Sequence, residues 1–88
     1  MSNKFRVLWV DDEIDLLTPY FQFLNGKGYE LSSVSNGNDA IELIRNQVFD
    51  LVLLDENMPG MSGLQVVDEI KKIKPQLPII MVTKSEEE

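Results

Sequence analysis

Short, nearly continuous apolar runs alternate along this chain with stretches in which apolar residues recur every three or four positions. Phe5 to Val10 carries one charge, Arg6, as expected of a strand buried on both faces. Ile14, Leu17, Phe21 and Leu24 then fall on one helical stripe, which Gly26 and Gly28 are placed to end. Thr18-Pro19 has the chemistry of an N-cap and a first helical position, so this segment holds either a short turn before its helix or a bend within it. Tyr29 to Val34 predicts a weaker strand, diluted by Ser32 and Ser33, and Asn36-Gly37-Asn38 supplies turn and cap residues. Ala40, Ile41, Leu43 and Ile44 mark a second helix, through about Gln47. Leu51 to Leu54 is the clearest buried strand. After an Asn57-Met58-Pro59-Gly60 loop, Ser62 can cap a third helix with Leu64, Val67 and Ile70 as its apolar stripe, until Pro75 stops it. Ile79-Ile80-Met81-Val82 predicts a fourth strand.

The order βαβαβαβ implies an α/β protein with a doubly wound parallel sheet and right-handed crossovers. Ligands of such open sheets bind at the carboxyl ends of the strands. Asp11, Asp12, Asp55 and Thr83 all follow strands at that edge.

Composition narrows what the edge can do. At 88 residues the chain is one domain at most, and 43% hydrophobic with 26% charged residues is the balance of a globular protein. A net charge of −7, with 8 Lys and Arg, removes the phosphate-neutralising stripe that nucleic-acid binding needs. Without cysteine or histidine, thiolate chemistry, disulfides, imidazole catalysis and the usual zinc sites are excluded, so a metal here must be a hard cation held by oxygen. Met1-Ser2-Asn3-Lys4 opens no signal-peptide core, and no apolar run approaches the ~18 residues of a membrane span. A cytoplasmic address, with no membrane partner, is the expectation.

A single aspartate after a strand is ordinarily a solvated loop charge or a helix cap. Three carboxylates from neighbouring strands repel one another unless a cation binds or one stays protonated, and such a cluster reads as a site. Mg²⁺ takes near-octahedral oxygen ligands and keeps several waters. Asp12 and Asp55 are the candidates for direct ligation, with Asp11 acting through water and the main-chain carbonyl of Asn57 completing the protein share. A carboxylate beside that cation can attack phosphorus to give an acyl phosphate, and the Thr83 hydroxyl can donate to a phosphoryl oxygen.

Three segments carry a family resemblance: Val7-Leu8-Trp9-Val10-Asp11-Asp12-Glu13, the run from Asp50 through Asp55-Glu56-Asn57-Met58-Pro59-Gly60-Met61-Ser62-Gly63 to Leu64, and Pro78-Ile79-Ile80-Met81-Val82-Thr83. Together they are similar to the receiver domain of two-component response regulators, across the whole chain. The resemblance implies a flavodoxin-like fold in which Asp55 is the phosphoacceptor, Asp11 and Asp12 hold Mg²⁺ with the Asn57 carbonyl, and Thr83 reports phosphorylation. It implies a sensor histidine kinase as donor and an output domain, in the chain or in a partner, as target. A signalling role rather than an enzymatic one follows. The Trp9 motif and the Asp55 to Gly60 loop also resemble the Bacteroidetes secretion-control regulators, whose output domain is alkaline-phosphatase-like.

The fifth strand with its lysine and aromatic switch residue, and the fourth and fifth helices, would lie beyond Glu88. Lys84 follows Thr83 directly and does not replace that lysine. Residues 1–88 therefore resemble a receiver domain incomplete at its C-terminus, whose fourth strand becomes an unguarded edge and whose first-helix face is partly bare. Self-association, most simply as a two-fold dimer, is the expectation. Among rivals, a haloacid-dehalogenase-type phosphatase needs an Asp-x-Asp pair after the first strand, which Asp11-Asp12-Glu13 does not provide. A Toprim-type phosphotransfer domain needs an acid at position 57, where Asn stands. A flavodoxin-like cofactor module would need a glycine- and hydroxyl-rich first loop in place of this acidic one.

Overall fold

The computed structural model describes residues 4–13, 18–56, 58 and 60–82. Its elements are β1 (Phe5–Val10), α1 (Thr18–Gly26), β2 (Tyr29–Val34), α2 (Gly37–Asn46), β3 (Leu51–Asp55), α3 (Gly63–Ile73) and β4 (Ile79–Val82). The four strands form one parallel sheet in the order β2-β1-β3-β4, the doubly wound arrangement expected of a flavodoxin-like chain. Ile14 and Leu17 of the expected first-helix stripe lie outside the described residues.

Strand alternation divides the sheet into two faces. Leu8 and Val10 of β1 and Val52 and Leu54 of β3 point to one face, where Ala40, Ile41 and Ile44 of α2 and Val66 and Ile70 of α3 close the main core. Trp9 lies on the opposite face, its ring edge-on to Phe21 of α1 with 5.3 Å between centroids. No residue of the described α1 is fully buried, so this second layer is thinner than the first.

The helix ends follow local chemistry. Gly28 has φ 100°, the left-handed conformation that ends α1 at low steric cost, and its N–H donates to the Asn25 carbonyl at 3.2 Å. The Asn36 side chain caps α2, accepting the Asp39 N–H at 2.9 Å. At the start of α3 the Ser62 hydroxyl accepts the Gln65 N–H, while the Gln65 side chain accepts the Ser62 N–H at 2.9 Å. From the last turn of α3, Lys71 Nζ donates to the Leu77 carbonyl at 2.8 Å and holds the turn into β4.

One expectation about α3 needs correction. Leu64 does not share the apolar stripe; it is 75% exposed, and the buried line runs through Gly63, Val66 and Ile70 with Val67 half-buried. Both lines have helical spacing. Which one turns inward is decided by how closely the first turn approaches the β3 loop, and glycine at position 63 permits that approach.

Candidate functional site

Register brings the acids together. β1 and β3 pair with Val10 opposite Leu54, so the next residues, Asp11 and Asp55, leave the sheet side by side at its carboxyl edge. Asp55 is the last residue of β3, fully buried and opposite Val82 of β4; the Glu56 N–H extends that ladder to the Val82 carbonyl at 3.1 Å.

The acidic pair divides its work. The Asp11 N–H donates to the Val34 carbonyl at 3.1 Å, continuing the β1–β2 ladder, and its buried carboxylate accepts the Glu13 N–H at 2.8 Å. This turn leaves Asp12 exposed beside the buried Asp11. Even so, one carboxylate oxygen from each of Asp11, Asp12 and Asp55 lies within 4.8 Å of the others. Like charges at that separation repel one another, and an all-oxygen donor set of this kind suits a hard divalent cation. The donors fit Mg²⁺.

Asn57 and Thr83 lie outside the described residues. Val82, which precedes Thr83, is the β4 residue paired with Asp55. Ser62 caps α3 as its position after the loop implies, and two further features shape the site. The capping box at Ser62 and Gln65, which anchors the helix that follows the site loop, was legible as Ser-x-x-Gln. The turn that buries Asp11 and exposes Asp12 had no equally direct signal. The groove of ≈ 490 Å³ lined by Val48, Phe49, Ile73 and Pro75 lies at the opposite end of the sheet and takes no part in this site.

A doubly wound parallel sheet whose carboxyl edge gathers an acidic pair from one strand and a third aspartate from its neighbour defines a class of α/β domain with an acidic, cation-suited edge. The chain belongs to the response regulator receiver domain family, whose model matches residues 7–88. It is 40% identical over 81 residues to the transcriptional regulatory protein ZraR of Escherichia coli, covering 92% of this chain and 18% of that protein. The chain thus spans less than a fifth of the length of such curated relatives. Among solved structures it is similar to the response regulator TrrA of Thermotoga maritima in complex with Mg²⁺-BeF, at TM-score 0.83 and 39% identity over 93% of this chain and 71% of that one. TrrA in complex with the histidine kinase ThkA matches equally well, at TM-score 0.83 and 38% identity over 94% of this chain and 72% of that one. The phosphatase and Toprim alternatives find no support among these matches.

Proposed function

We propose that this receiver domain takes a phosphoryl group from a sensor histidine kinase onto Asp55, in a Mg²⁺-dependent transfer that biases an output domain between two states. The observation that carries the reading is the meeting of the Asp11, Asp12 and Asp55 oxygens within 4.8 Å at the carboxyl edge of the sheet. The kinase complex and the Mg²⁺-BeF complex of TrrA support it by similarity.

In this reading an Asp55 carboxylate oxygen attacks the phosphorus of a phosphohistidine. The new P–O bond forms as the N–P bond breaks, and the electron pair leaves with the imidazole nitrogen, which takes up a proton. Asp12 and Asp55 would hold Mg²⁺ directly, Asp11 through water, and Asn57 through its main-chain carbonyl. When bound, the cation offsets repulsion between the attacking carboxylate and the phosphoryl oxygens. Burial of Asp55 at the end of β3 fixes the direction of its carboxylate, and the Thr83 hydroxyl would donate to a phosphoryl oxygen. The domain supplies position and nucleophile to a signalling event in the cytoplasm.

Intact mass of the full chain after incubation with acetyl phosphate tests the reading. One Mg²⁺-dependent phosphoryl addition is expected in the wild type and none in Asp55→Ala; equal incorporation in both would remove Asp55 from the role.

A further inference from the structure

Gly63 opens α3, is buried, and lies outside the left-handed region, so its backbone conformation does not call for glycine. Its surroundings do. A Cβ at this position would stand 2.8 Å from Met81 Cε, and 3.2 and 3.3 Å from the Cα and carbonyl oxygen of Glu56. The methionine tip is the end of a flexible side chain and can yield. Glu56 is backbone, next to Asp55, with its N–H already committed to the Val82 carbonyl at 3.1 Å.

The helix cannot give way instead. Val66 and Ile70 pin α3 into the core with 0% exposure, and the reciprocal Ser62–Gln65 hydrogen bonds fix its first turn. An added methyl group therefore presses the chain at Glu56 by a few tenths of an ångström, beside the end of β3 from which Asp55 projects.

We infer that Gly63 is a positioning residue for the acidic site: by omitting Cβ it lets α3 back the Glu56 backbone, one residue beyond Asp55, and so holds the Asp55 carboxylate in register with Asp11 and Asp12. The inference deepens, and rests on, the reading of Asp55 as a Mg²⁺-assisted phosphoacceptor. Gly37 provides the contrast. A Cβ there would come within 2.6 Å of Val66 Cγ2 and 3.3 Å of Met61 Sδ, side chains rather than the Glu56 backbone.

The test compares Gly63→Ala with Gly37→Ala in the full chain, reading Mg²⁺ affinity by titration calorimetry and phosphoryl incorporation from saturating acetyl phosphate. Alanine is the better helix former, so stability alone is a poor reporter. Gly63→Ala should bind Mg²⁺ about tenfold more weakly and incorporate phosphoryl more slowly, as expected when the support of a ligand moves. Gly37→Ala, which presses on side chains and not on the Glu56 backbone, should lose less Mg²⁺ affinity than Gly63→Ala. Adding Met81→Ala to Gly63→Ala should not restore the site, because the backbone contact remains; if the single variant does not unfold cooperatively, this double variant carries the same measurement. Wild-type affinity in Gly63→Ala, or full rescue by Met81→Ala, overturns the inference. Mg²⁺ affinity is read without phosphorylation, so a wild type that binds Mg²⁺ but takes up no phosphoryl group would overturn only the reading of Asp55.

Discussion

Asp11 and Asp12 are neighbours in sequence but differ in environment. Asp11 is 2% exposed with one oxygen accepting the Glu13 N–H, while Asp12 beside it is exposed. The buried carboxylate therefore shapes the loop and the exposed one is freer to meet a cation. Asp12→Ala is expected to weaken Mg²⁺ binding more than Asp11→Ala, measured by titration calorimetry; equal losses would contradict the division into direct and water-mediated roles. Stability should move the other way. Asp11→Ala removes the acceptor of a backbone N–H and should cost about 1 kcal/mol. Asp12→Ala relieves a repulsion worth about 1 kcal/mol at ~4 Å in high dielectric, and should stabilise the domain in chelator but not in saturating Mg²⁺. Urea unfolding followed through Trp9, the single tryptophan of these residues, reads both. The acids were legible because Asp11-Asp12 and Asp55 each stand at the end of an apolar run. Their unequal burial was not, because it depends on a hydrogen bond within the turn.

At the scale of elements, α3 and α1 are held by different means. α3 has a reciprocal cap and a line of fully buried residues, whereas the described α1 buries no residue fully and meets β1 through the half-buried Phe21 ring against Trp9. Ser62→Ala should lower stability by about 1 kcal/mol, the usual cost of losing a serine N-cap. Ile70→Ala should cost about 2–5 kcal/mol, because it leaves a cavity where no side chain can follow. Phe21→Ala should cost less than Ile70→Ala, since the Phe21 ring is already partly in water; chemical denaturation of the three variants checks the ranking. Element order and type were readable from hydrophobic period. The inward face of α3 was not, because Leu64-Val67-Ile70 and Gly63-Val66-Ile70 have equally helical spacing, and glycine carries no hydrophobic signal of its own.

Over the whole molecule, apolar surface is distributed unevenly. The face of α2 and α3 is closed, while on the other face Leu51 and Leu53 are half-buried and Ile80 is 51% exposed on β4, the sheet edge among the described residues. No charged residue stands within Ile79–Val82 to oppose pairing of that edge. The 88-residue chain is therefore predicted to self-associate, most simply as a two-fold dimer. Size exclusion with light scattering at micromolar concentration is the measurement, and a cooperatively folding monomer would show that this exposed surface is tolerated. No described helix is long and apolar enough to cross a membrane.

What the sequence determined by itself was the alternation of strand and helix, the parallel sheet this implies, and the placing of carboxylates at strand ends. These follow from period and order along the chain, which need no knowledge of distant contacts. Only the tertiary structure decided that Asp11 and Asp55 leave adjacent strands at the same level, because that depends on pairing Val10 with Leu54 across more than forty residues of sequence. It also decided that Gly63 lies against Glu56 rather than in open space. Such a close approach belongs to two surfaces at once, and the sequence of either one does not contain it.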